Sequence, residues 1–148
     1  MSEIAWETQH SVKTRADVEF AWRYWTDVSN WDDPPARFEF DGAFVTGARG
    51  LTHLPGQSPI EWYVQDVRPC ASATIEIPAS KASMSFQWTF ESIGEGRTLL
   101  TQRIVLSGEN AENYFEYAKV LEENLPLGMQ KMASAIENAL AESCNRQT

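Results

Sequence analysis

Cysteine is scarce in this 148-residue chain: only Cys70 and Cys144, far apart. That count excludes a disulfide scaffold and fits reduced thiols in a cytoplasmic protein. Histidine is equally scarce, with His10 and His53 alone, and neither has a second histidine or a cysteine at ligand spacing, so no metal site is expected. Positive charge is in deficit, 12 Lys and Arg against 21 Asp and Glu, for a net charge of −9. A nucleic-acid partner needs a basic stripe, and an anionic membrane surface needs basic clusters; neither is present. No run of about eighteen apolar residues exists, which excludes a membrane-spanning helix. The opening residues Met1 to Glu7 lack the basic start and apolar block of a signal peptide. Glycine-rich phosphate loops, G-x-S-x-G elements and other cofactor or nucleophile motifs are missing as well, so no cofactor is predicted.

What remains is an apolar fraction of 43% with six tryptophans and seven phenylalanines, enough for one domain over residues 1–148 with a real core. Ile4, Trp6, Thr8, His10 and Val12 alternate with polar neighbours and predict a strand. Val18, Trp22 and Trp25 then share one side of a short helix, and Asp27 to Trp31 reads as a second helical piece ended by Pro34-Pro35. Six short strands follow, over Arg37 to Phe40, Arg49 to Leu54, Ile60 to Arg68, Ser72 to Ile77, Ser83 to Phe90 and Thr98 to Leu106, separated by glycine and proline turns. From about Ala111 to Ser143 the period lengthens: Tyr114, Tyr117, Leu121, Leu125, Gly128, Met132, Ile136 and Leu140 mark the apolar stripe of a helix roughly 50 Å long, with Pro126 predicted to kink or break it.

The order β-α-α-β6-α predicts an α+β fold: a curved antiparallel sheet of about seven strands wrapped round one long C-terminal helix. One helix cannot close so wide a face, and a cavity between sheet and helix is expected. The local motifs agree. Trp25-Thr26-Asp27-Val28-Ser29-Asn30-Trp31, Phe40 to Gly50, Val67-Arg68-Pro69, Phe86-Gln87-Trp88, and Arg97 to Arg103 running into Leu106-Ser107-Gly108 follow one another in an order that resembles the START/Bet v 1-like (SRPBCC) superfamily and its helix-grip fold. The polyketide cyclase/dehydrase type is the most similar. The resemblance covers nearly the whole chain. It implies an apolar pocket of the kind relatives use for lipids, sterols or polyketides. Where some similar sequences carry histidines in the late strands, this chain reads Gln87-Trp88 and Gln102, which argues against histidine chemistry there.

The expected ligand is a small hydrophobic molecule, lipid-like, aromatic or polyketide-like. Three tryptophans, Trp31, Trp62 and Trp88, are placed at the pocket, although core packing accounts for most aromatics. Phe38, Phe86 and Leu121 add apolar wall, and Gln102, on the side of Leu100 and Ile104, turns an amide inward. Tyr117 is placed on the sheet-facing stripe. If Leu51 points inward, so do Arg49 and His53, and these two are the candidate catalytic groups of a cyclase-type enzyme that would polarise a carbonyl and move a proton. A homodimer through a sheet edge or the long helix is the alternative partner reading.

Overall fold

A computed structural model describes residues 4–146. Seven strands form one antiparallel sheet: β1 (Ile4–Thr14), β2 (Arg37–Phe40), β3 (Arg49–His53), β4 (Ile60–Arg68), β5 (Ser72–Ala79), β6 (Ala82–Gly94) and β7 (Arg97–Ser107). Their spatial order is β1-β7-β6-β5-β4-β3-β2. Strands β2 to β7 form a meander, and the first strand returns to close on the last. Between β1 and β2 lie α1 (Val18–Thr26) and one 3-10 turn (Val28–Asn30), so the second helical piece is shorter than expected. Asp17 caps α1 by accepting from the Phe20 N–H at 2.8 Å, and Asp27 caps the 3-10 turn through Ser29. Pro78 falls inside β5 rather than ending it, near the hairpin where the strand is exposed. Among the described residues no helix is long and apolar enough to cross a membrane. This is the expected helix-grip α+β architecture.

The last helix, α2 (Phe115–Arg146), follows a 3-10 turn over Ala111–Tyr114 and runs unbroken through Pro126. Pro126 is exposed and so is Glu122, whose carbonyl loses its partner, so water can take the place of the missing N–H. The seam of α2 also departs from the expected stripe. Ala118, Leu125, Met129, Ala133 and Ile136 are buried, with Leu121, Met132 and Leu140 half-buried beside them; Tyr117 and Gly128 are exposed. Small residues at 118 and 133 let the helix lie close to the sheet.

Cross-strand register gives the sheet its two faces. Trp6, Leu106, Met84 and Ile77 stand in one row; Thr8, Ile104, Phe86, Ile75 and Val64 in the next; His10, Gln102, Trp88 and Ala73 in a third; Val12, Leu100 and Phe90 in a fourth. These residues form the inner face, under the helices. Their neighbours Glu7, Gln87, Arg103 and Glu76 form the outer one, where Arg103 bonds to both Glu7 and Gln87. Two buried threonines tie the far end of the sheet to the helical layer and the loop before α1. Thr14 donates to the Ala133 carbonyl at 3.0 Å, and Thr98 donates to the Ala16 carbonyl at 2.8 Å. Replacing Thr98 by Val keeps the shape but strands a buried carbonyl. Urea denaturation is expected to show a loss of about 1–3 kcal/mol for Thr98→Val, and a smaller change for Thr101→Val, whose hydroxyl meets only Ser11 near the surface.

Candidate functional site

The inner face has a filled aromatic end and a middle stretch that is less fully covered. At the filled end α1 drives Trp22 and Trp25 against Phe90, Trp88 and Phe44, with ring centroids 5.1–6.5 Å apart. Trp31 continues the cluster. Its indole N–H donates to the Trp25 carbonyl at 2.7 Å, and its ring stacks on Trp62 at 5.2 Å. Phe40 stacks on the Trp62 indole at 5.6 Å and an interplanar angle of 3°, while the Trp62 N–H donates to Thr52 Oγ1 at 3.1 Å. Trp62 is therefore a sealed core side chain, 2% exposed, and Trp88 is buried against Trp25. Of the three tryptophans assigned to the pocket, only Trp31 keeps a partly open surface.

Gly50 explains how this stack fits, and it reverses one expectation. Gly50 stands opposite Trp62 in the β3–β4 register, and a side-chain carbon on Gly50 would run into the Trp62 indole ring. The face of β3 that looks inward is thus Gly50 and Thr52. Arg49, Leu51 and His53 look outward, contrary to the sequence reading. Arg49 forms an ion pair with Glu61 at 3.1 Å, and Tyr63 donates to the same carboxylate at 2.9 Å. His53 Nε2 meets Glu39 Oε1 at 3.0 Å. Glu39, Asp41, Arg49 and Leu51, with Phe40 and Gly50, line an outer depression of about 120 Å³. The two groups picked as catalytic share the outer face of β3 at its two ends, each bonded to a different carboxylate and separated from the inner face by the sheet itself.

Away from the aromatic end, the middle of the inner face is only partly covered. Phe86 lies in a central strand and points inward, yet it stays half-buried, and so does Gln102 one strand over; Met84, Ile104 and Leu100 around them are buried. Thr8 and His10 on β1 are half-buried too. Phe38 and Leu121 are half-buried at the margins, packed on the core. Phe38, Phe86 and Gln102 therefore lie on the inner face of the sheet, with Trp31 and Leu121 packed against the same core. Tyr117 does not lie in the seam. Its surface is 51% open, while its hydroxyl end is crowded enough that burial first, and the Asp33 carboxylate second, push the phenol above its ordinary pKa of 10.0.

Two inner-face groups were not chosen from sequence, Thr8 and His10. The available signal was the alternation of β1, which puts both on the Trp6 side.

No family model matches the chain, and no curated protein matches it. Solved structures do. The Zhui aromatase/cyclase from Streptomyces sp. R1128 superposes with a TM-score of 0.69 at 16% identity, over 95% of this chain and 96% of that one. Norcoclaurine synthase from Thalictrum flavum gives 0.65 at 14% identity, over 95% and 94%. A protein from Arthrobacter aurescens gives 0.68 at 18% identity, over 89% and 86%. At these identities the likeness establishes the helix-grip fold alone. If the interlock of Gly50 and Trp62 organises the aromatic end, Gly50→Ala is expected to lower stability by about 1–3 kcal/mol, read from the shift of a urea denaturation midpoint.

Proposed function

We propose that this START/Bet v 1-like domain binds a small hydrophobic molecule, lipid-like, aromatic or polyketide-like, in a cavity between α2 and the inner face of the sheet. The observation that carries the reading is the partial exposure of Phe86 in a central strand, on the face that ought to be core. A phenyl ring left accessible among buried neighbours forfeits part of its transfer free energy, and an apolar guest would recover it. The indole and phenyl rings of the aromatic end give such a guest a rigid floor. The fold neighbours include an aromatase/cyclase and a norcoclaurine synthase, which supports a cyclase- or dehydrase-type reaction in the same space as the second reading. Such a reaction would not run through Arg49 or His53, which face the other way. Cys70 and Cys144 are both free, in keeping with a cytoplasmic setting.

Native mass spectrometry of protein purified from its own host tests the reading directly. A retained small molecule, released on denaturation, is the expected result; bare protein that also fails to bind added aromatic probes would overturn it. Leu121→Trp, which enlarges a half-buried side chain at the margin of the inner face, is expected to weaken binding of a probe such as naphthalene by about tenfold or more in equilibrium dialysis, with melting shifted by only a few degrees.

A further inference from the structure

The inner face of the seven strands carries no Asp, Glu, Lys or Arg side chain in its four central rows, and its polar groups divide into two sets. Thr14, Thr52 and Thr98 are satisfied within the protein, by the Ala133 carbonyl, the Trp62 indole and the Ala16 carbonyl. Thr8, His10 and Gln102 have no side-chain hydrogen-bond partner among the described residues. These three are not scattered. His10 stands directly opposite Gln102 in the β1–β7 register, Thr8 is two residues along the same face of β1, and Trp88 flanks Gln102 on the other side. Directly opposed residues in an antiparallel pair hold their Cβ atoms about 5 Å apart, so an imidazole, a carboxamide and a hydroxyl converge on one patch.

Resting on the ligand-binding reading above, we infer that Thr8, His10 and Gln102 form the polar end of the site, and that its ligand is a neutral aromatic molecule bearing a hydroxyl or a carbonyl. Unpaired polar groups within an apolar wall cost free energy unless a guest or water satisfies them. A carboxamide offers both a donor and an acceptor, a neutral imidazole offers one of each, and a hydroxyl serves either way. That set matches a phenol or an aryl ketone. A carboxylate or ammonium head on the guest would find no opposite charge in these rows to offset its desolvation. The flat partner for the ring is at hand: Phe86, half-buried, lies one row from Gln102 on the adjacent strand.

The test compares two probes of one shape, 2-naphthol and naphthalene, by equilibrium dialysis against wild type, Gln102→Met, His10→Phe and, as an outer-face control, Gln87→Met. The expected result is an affinity ratio of about tenfold in favour of 2-naphthol for wild type and the control, falling towards one in both inner-face variants. Gln102→Met preserves side-chain length, and the wild-type ratio needs no variant at all, so misfolding of one protein does not remove the readout. If both probes bind wild type equally, or the preference survives both inner-face substitutions, the polar end is wrong while the apolar site stands. If neither probe binds wild type, the apolar site fails and this inference fails with it.

Discussion

A single α-helix is about 10 Å across, and seven strands spaced about 4.8 Å apart make a face nearly three times as wide. Everything else in the molecule is arranged around that mismatch. Helix α2 packs chiefly along β1 and reaches β7 only slightly, so it covers one flank of the inner face. The rest has to be curled inward, filled with side chains, or left accessible. All three occur. Curvature brings β2 and β3 round to face the helical layer, large rings fill the end beneath α1, and the stretch around Phe86 and Gln102 is left part-covered.

The filled end shows why tryptophan suits this task. An indole spans the gap between sheet layers that an aliphatic side chain would leave void, and its one donor finds a partner on the way: Trp31 with the Trp25 carbonyl, Trp62 with Thr52. Seating Trp62 between two other rings demands that the strand beneath it have no side chain, which is the role of Gly50. The same geometry turns Arg49 and His53 to the outer surface, where Arg49 pairs with Glu61 and His53 bonds to Glu39 near water. Charge is thereby kept off the inner wall.

Some of this was legible in the sequence and some was not, for physical reasons. The alternation Met84, Phe86, Trp88, Phe90 declares its inner face unaided, because bulky apolar residues occupy one side and Ser, Gln and Thr the other. β3 reads the wrong way for the same rule. Leu51 is its only large aliphatic residue, so counting apolar residues selects the face of Leu51, whereas the true inner face is defined by a space that Trp62 fills from the next strand. That complement is tertiary and leaves no local trace. Helix α2 drifts for a different reason: Tyr117 and Gly128 continue an apolar count, but Ala118, Met129 and Ala133 lie nearer the sheet, and alanines at a tight seam are weak signals in a hydropathy pattern.

The pairing of β1 with β7 has a consequence for how the molecule is made. Ser11 meets Thr101, 90 positions away, while every other neighbouring pair in the sheet is joined locally by a turn. During synthesis the first strand leaves the ribosome long before its mate exists, and a meander of six strands can assemble in its absence. Docking of β1 is then the event that lets α2 settle, because α2 rests mainly on that strand. A chain whose amino-terminal ribbon was held back by a chaperone would have a nearly complete sheet whose β7 flank lacked both its neighbouring strand and the helix that rests on it.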